Sequence, residues 1–255
     1  ELKCTLFLRS NRGISLTPEG KKLYEHVAIA YEQLQIGEEE IRQNGELENG
    51  LVSIGASENA LRLVLLSRLE KFHEQYPHVR LRISNHSTPQ AIQALTSDIV
   101  DFAAVTTPLD IKSPLEKIPL ASYREILIGG RKYKKLAEHT QKLEDIASLP
   151  FISLDENSST RELYNSFFLE HGLSFAPDME TATTDQMLPL ITHNLGIGFY
   201  PKKMAELALT KGDVYQIPLE EKLPLRRIYL VTNGSTAKST AVRKMIKFIQ
   251  EYHKI

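Results

Sequence analysis

The chain opens with a mixed apolar and basic stretch, Leu2 to Arg9. Next comes Ser10-Asn11-Arg12-Gly13, a turn signal with glycine where a positive φ is easiest, and then Ile14-Ser15-Leu16 in strand alternation. This pattern predicts a small β-hairpin with Arg9 and Arg12 near its tip. Thr17-Pro18-Glu19 then announces a helix: a threonine cap, proline at the first helical position and an acid facing the positive end of the dipole. The helical period runs to about Asn44-Gly45. Its apolar or small positions, Leu23, Val27, Ala30, Leu34, Gly37 and Ile41, alternate spacings of four and three. Such a heptad seam is buried most naturally against a second helix, often its own copy. Packing on the helix's own domain is the simpler alternative.

Residues 46–50 form a polar joint, and a different pattern follows it. Leu51 to Ala56 reads as a strand, Glu58 to Gln75 as a helix, Val79 to Ile83 as a strand, a helix follows from Thr88-Pro89, and Phe102 to Val105 reads as a strand. That β-α-β-α-β order predicts a parallel sheet with right-handed crossovers, which binds ligands at the carboxyl ends of its strands. After Ile126 to Ile128 the pattern starts again. Strands at 151–154, 179–182 and 197–200 alternate with helices at 160–171 and 185–193, and a strand at 228–231 and a helix at 240–252 close the chain. Thr88-Pro89-Gln90 and Thr184-Asp185-Gln186 even share a Thr-x-Gln helix start. Two α/β lobes with a cleft between them are expected.

Composition narrows the function. The 255 residues are 42% hydrophobic and 25% charged, enough for real cores, and 31 Lys and Arg nearly balance 32 Asp and Glu. Any nucleic-acid contact must therefore come from a local patch. The single cysteine, Cys4, forms no internal disulfide and no cysteine-based zinc site, which fits a reducing cytoplasmic setting. The longest nearly apolar stretch, Leu61 to Leu66, is interrupted by Arg62, far short of the ~20 residues of a membrane span, so no membrane partner is expected. No basic-then-apolar secretory signal opens the chain, and it begins without Met, as a processed or truncated product would.

Four stretches carry a family resemblance: Leu6-Phe7-Leu8-Arg9-Ser10-Asn11-Arg12-Gly13-Ile14-Ser15-Leu16-Thr17-Pro18-Glu19-Gly20, Gly50-Leu51-Val52-Ser53-Ile54-Gly55-Ala56-Ser57, Phe72-His73-Glu74-Gln75-Tyr76-Pro77 and Gly196-Ile197-Gly198-Phe199-Tyr200-Pro201. Together they resemble a LysR-type transcriptional regulator over essentially the whole chain. The resemblance implies the wing of a winged helix-turn-helix at 1–17, a dimerising linker helix at 18–45, and a two-lobed effector domain of the periplasmic-binding-protein type. Its first lobe would comprise 50–122 and 234–255, and its second 123–233. It also implies a DNA partner, a small-molecule effector and a homodimer that pairs into a homotetramer. Relative to the family the chain begins after the recognition helix, so the helices that read the major groove are expected to precede it. Arg9 and Arg12 suit phosphate or minor-groove contact, although arginines in a turn are more often plain solvated charge.

The strand ends expected to line the cleft are rich in hydroxyls and amides: Ser57, Asn59, Ser87, Thr88, Thr106, Thr107, Ser158 and Thr184, with Ser159 beside them. Ser57, Thr88 and Thr184 each precede an expected helix, where a hydroxyl beside free N–H groups suits a carboxylate or phosphate. The competing reading is that they only cap helices. His86 and His193 rank second, and Arg161 is expected to be a solvated surface charge. Glu38-Glu39-Glu40 and Glu220-Glu221 read as solvated faces. The sequence holds no Walker, G-x-G-x-x-G, G-x-S-x-G or H-E-x-x-H pattern, so neither an enzyme nor a cofactor is expected. A transport solute-binding protein shares the two-lobe fold, but it would carry no wing or heptad arm.

Overall fold

The structure, a computed structural model, describes residues 4–10, 13–43 and 50–252. The hairpin forms as its alternation predicts: β1 (Phe7–Ser10) pairs antiparallel with β2 (Gly13–Leu16), Arg9 opposite Ile14. Gly13 supplies the turn with a φ of +122°. Arg12 lies outside the described residues. Thr17 caps α1 (Pro18–Gln43): its Oγ1 accepts from the Gly20 N–H at 2.9 Å and donates to the Thr5 carbonyl at 2.8 Å. The heptad seam is uncovered in the single chain, with Val27 52% and Leu34 67% exposed. Tyr24 and Tyr31, also exposed, widen the stripe on one flank. The side chains of Ile41 and of Glu38 to Glu40 are outside the described residues.

The first lobe is a five-stranded sheet in the order β4-β3-β5-β12-β6. Its strands are β3 (Leu51–Ala56), β4 (Arg80–Asn85), β5 (Phe102–Thr106), β6 (Leu115–Tyr123) and β12 (Arg226–Asn233). β3 runs parallel to β4 and β5, as the crossover pattern predicts, whereas β12 pairs antiparallel with both β5 and β6. A run of α2 (Glu58–Ala60), a π-helical turn (Leu61–Leu65) and α3 (Leu66–Gln75) covers one face beside α9 (Thr240–Glu251). Leu65, Leu69, Phe72, Val242, Met245 and Ile249 are buried there against Val52 and Ile54. The other face is covered by α4 (Thr88–Thr96) through Ala91 and Leu95. Arg68 ties this lobe together from inside: it is buried and donates to the Ile249 carbonyl at 2.8 Å.

The second lobe is mixed where the sequence predicts parallel strands. β7 (Glu125–Gly130) lies between β10 (Ile197–Pro201) and β11 (Val214–Ile217), both antiparallel to it. β8 (Ile152–Leu154) pairs in parallel with β9 (Met179–Thr181), and Phe151 bridges in parallel to Ile197. Read across that bridge, the order β9-β8-β10-β7-β11 repeats that of the first lobe: four strands run one way and only the fourth in the order, β12 or β7, runs the other. α5 (Leu143–Ile146) and α6 (Ser159–Glu170) pack on one face, α7 (Thr184–Thr192) and α8 (Lys202–Lys211) on the other. The core under α6 is aromatic: Phe151, Tyr164, Phe167, Phe168, Phe175 and Phe199, with centroids as close as 4.6 Å.

One lobe boundary needs correction, and several elements were not expected. β12 belongs to the first lobe, so the segment 123–233 overreaches: the chain returns before Arg226 because that strand completes ladders on β5 and β6. β6, α8 and β11 are not apparent from the pattern. β6 carries Pro119, which cannot donate to a ladder, and the sheet accommodates it with a register shift opposite Ile228 and Tyr229. Glu221, expected to be solvated, instead accepts from the Leu143 N–H at 2.9 Å at the start of α5.

The glycine pair of β10 is set by close approach. A Cβ on Gly196 would lie 2.6 Å from the Pro150 carbonyl oxygen, and one on Gly198 2.8 Å from that of Ile152, and neither backbone can withdraw without breaking the contact between β8 and β10. Gly196→Ala and Gly198→Ala are each expected to lower unfolding stability by about 1–3 kcal/mol in urea titration. Gly37→Ala, in open space on α1, is expected to raise helix stability by up to ~1 kcal/mol instead.

Candidate ligand-binding cleft

Between the lobes lies a cavity of about 210 Å³. Helix starts from both lobes converge on it. Ser57 caps α2, its Oγ accepting from the Ala60 N–H at 3.4 Å. Ser158 caps α6, its Oγ accepting from the Arg161 N–H at 3.1 Å and donating to the Asp155 carbonyl at 2.9 Å. At α4 and α7 the expected caps are off by one residue: Ser87 and Thr183 occupy the cap positions, and Thr88 and Thr184 are the first helical residues, both buried. The Thr-x-Gln resemblance has a structural counterpart. Gln90 accepts from the Ser87 N–H at 2.9 Å and Gln186 from the Ala182 N–H at 3.1 Å, each glutamine reaching back to the residues before its helix.

Of the residues singled out in sequence, Ser57, Asn59, Ser87, Thr88, Thr106, Ser158 and Thr184 line this cavity. Thr107 does not: its Oγ1 accepts from the Arg227 N–H at 3.0 Å and its own N–H donates to the Arg227 carbonyl, turning it towards β12. His86 lines the cavity, with Nε2 2.8 Å from Ser84 Oγ. His193 is exposed at the far end of α7, its Nδ1 2.8 Å from the Pro189 carbonyl. Arg161 is buried, contrary to its expected solvation. It donates to Glu180 at 2.6 Å, to the Leu154 carbonyl at 3.3 Å and to Asn165 at 3.1 Å, and lies over the Phe175 ring. The guanidinium braces the ends of β8 and β9 beneath the cleft.

Glu58, Asn85, Asp155, Thr160 and Thr183 also line the cavity, and none was singled out in sequence. Among the described lining residues none is Lys or Arg, so the donors are hydroxyls, amides, His86 and backbone N–H groups. Two polar atoms at the cavity are buried without a partner: Asn59 Oδ1 and Ser87 Oγ. Burial, with the Asp185 charge nearby, pushes the Glu58 carboxyl up, while Arg62 and the Asn85 amide pull it down less strongly.

Behind the cavity lies a polar cluster buried on the strands that cross between lobes. Arg226, 0% exposed, donates from Nη1 to Glu125 at 3.0 Å and from Nη2 to the hydroxyls of Thr106 at 3.1 Å and Thr160 at 3.0 Å. Its guanidinium sits 5.7 Å from the Tyr123 ring centroid, and Tyr123 OH accepts from Asn59 Nδ2 at 3.3 Å. Burial, with Glu125 adding to it, pushes the Tyr123 hydroxyl up to about 12. Burial is the largest influence on Arg226 and pulls it down, but Glu125, Tyr123 and Tyr164 together more than offset it, so the guanidinium stays charged. Arg226 follows Leu223-Pro224-Leu225 and precedes another arginine, a context with no local signal for burial.

Residues 45–254 match the family model described as the LysR substrate binding domain. The chain belongs to the LysR family of transcriptional regulators. It is 24% identical over 252 residues to the HTH-type transcriptional regulator CzcR of Bacillus subtilis, covering 99% of this chain and 84% of that one. Its fold is that of the effector-binding domain of QuiR in complex with shikimate, at TM-score 0.70 and 20% identity over 81% of this chain and 98% of that chain. It is equally that of the Synechocystis CcmR regulatory domain in complex with 2-PG, at TM-score 0.72 and 15% identity over the same shares. The two-lobed architecture expected from the strand and helix pattern is therefore that of LysR effector-binding domains.

The Glu58 carboxyl generates a pH prediction for this LysR-family chain. A carboxyl whose folded-state pKa is raised favours folding most below its unfolded pKa and loses that contribution as pH rises through the folded value. The Glu58 midpoint, followed by carboxyl NMR, is expected above the ordinary 4.5, and Asp185→Asn is expected to lower it. Glu58→Gln is expected to gain stability relative to wild type as pH rises above the ordinary 4.5 and to keep that gain above the raised midpoint.

Proposed function

We propose that this chain senses a small anionic metabolite in the cleft between its lobes and transmits occupancy to a DNA-reading head joined through α1. The observation that carries this reading is the convergence of hydroxyl-bearing helix starts from both lobes on one cavity of about 210 Å³. Free N–H groups at the positive ends of helices favour a carboxylate or phosphate there, and the surrounding hydroxyls and amides satisfy its remaining oxygens. With Glu58 and Asp155 also at the cavity, the charge of such a ligand is concentrated at one end. The complexes of QuiR with shikimate and of CcmR with 2-PG lend support from proteins of the same fold. The reading is of a ligand-binding regulator acting in the cytoplasm, without a catalytic step.

The uncovered stripe of α1 supports a homodimer through paired linker helices, and pairing of effector domains would make it a homotetramer. It also favours a regulator over a transport solute-binding protein, for which such an arm has no use. Arg9, on β1 of the hairpin, and Arg12, which lies outside the described residues, are assigned to DNA phosphates.

Two experiments test these assignments. A thermal-shift and calorimetric screen of small acids, beginning with shikimate and inorganic phosphate, is expected to find a stabilising ligand. For that ligand Ser57→Ala and Thr88→Val are each expected to weaken binding about fivefold or more; unchanged affinity in both would sink the cleft assignment. Leu34→Glu is expected to halve the assembly mass in sedimentation velocity, and an unchanged mass would remove α1 from the interface.

A further inference from the structure

We propose that Arg226 is the positioning residue of the cleft's anion subsite, acting through the hydroxyls of Thr106 and Thr160 without touching the ligand. The inference rests on the reading of the cleft as an anion site and names the group that orients it.

Arg226 Nη2 faces the cavity wall, donating one bond to a hydroxyl from each lobe: Thr106 at the end of β5 and Thr160 in the first turn of α6. A hydroxyl that accepts from a guanidinium keeps its own hydrogen to donate. The Thr106 hydroxyl is shared with Tyr123, leaving Thr160 the freer donor towards the cavity. The carboxylate partner sits on the other side: Glu125 accepts from Nη1 and lines a separate surface depression around Arg124 and Leu223. The ion pair is thus a buried dipole with its positive end towards the cleft. In a water-excluded setting its field falls on whatever oxygen those hydroxyls bind. Arg226 Nε is buried without a partner, so the hydrogen-bond set of the guanidinium is incomplete on that side.

Both lobes contribute a hydroxyl to one guanidinium, so the subsite exists only at the lobe separation seen here. A ligand oxygen bound by Thr160, with Thr106 of the other lobe held beside it on the same guanidinium, would favour that separation. The selected chemistry is an oxyanion, because the Thr160 hydroxyl keeps its hydrogen to donate and the guanidinium behind it favours negative charge at this point.

The test uses the full chain with threonine γ-methyl labels, and inorganic phosphate and shikimate as probes. Phosphate is expected to shift the Thr106 and Thr160 methyl signals saturably. Thr160→Val, which retains the Arg226–Glu125 pair, is expected to weaken phosphate about tenfold, read at Thr106. Glu125→Gln removes the compensating charge and is expected to tighten phosphate several-fold, a change of sign that a merely structural role would not produce. Should that variant fail to fold, Thr160→Val carries the test alone. Saturable shifts at Thr88 and Thr184 but not at Thr106, or wild-type affinity in Thr160→Val, would overturn the role of Arg226 and leave the anion cleft standing. No saturable shift at any of the four threonines with either probe would overturn the anion cleft itself.

Discussion

A charged pair with almost no access to water, Arg226 with Glu125, sits where the chain passes twice between lobes. Taking two such ions out of water costs several kcal/mol each after relaxation, and a pair returns that only when its geometry is good and its remaining donors are satisfied. Here Nη1 meets the carboxylate at 3.0 Å and Nη2 two hydroxyls, with the Tyr123 ring against the guanidinium, while Nε is left buried without a partner. Apolar side chains of similar volume could stabilise the crossing equally well. What they could not do is fix a guanidinium between Thr106 and Thr160, and so fix the disposition of the two lobes that carry them.

Around that pair the lobes repeat one architecture with different packing. In each lobe one strand, the fourth in the order, runs against the other four, and the helices α2, α4, α6 and α7 that follow β3, β4, β8 and β9 begin at the cleft. The first lobe fills its core with aliphatic residues and braces it with Arg68, whereas the second stacks phenylalanines and a tyrosine under α6. The shared topology explains why hydroxyl caps from distant segments meet. Crossovers of one hand return each helix start to the same sheet edge, so two lobes facing each other double the number of N–H dipoles aimed at one cavity.

The arm obeys different physics. α1 has its threonine cap and an apolar stripe that is largely exposed among the described residues, and a helix of this kind gains most of its stability from burying that stripe. In the proposed function, assembly thereby falls to this stripe and sensing to the cleft, two separate surfaces of one LysR-family chain.

Local pattern sufficed wherever a residue's role depends on its neighbours in sequence. The Gly13 turn, the Thr17 cap, the α1 stripe, the β-α-β-α-β run and the hydroxyls at Ser57, Ser87, Thr88, Thr106, Ser158 and Thr184 were all legible, because turn conformation, capping and helical or strand period are short-range properties. The exact caps at α4 and α7 slipped by one residue, since adjacent hydroxyls such as Ser87 and Thr88 compete for the same place. What tertiary structure decided was every feature joining distant segments. It gave β12 to the first lobe, turned Thr107 away from the cleft, buried Arg161, and set Arg226 against a carboxylate 101 residues before it. A solvated and a buried arginine look alike in sequence, because what separates them is a partner that only the folded chain brings within reach.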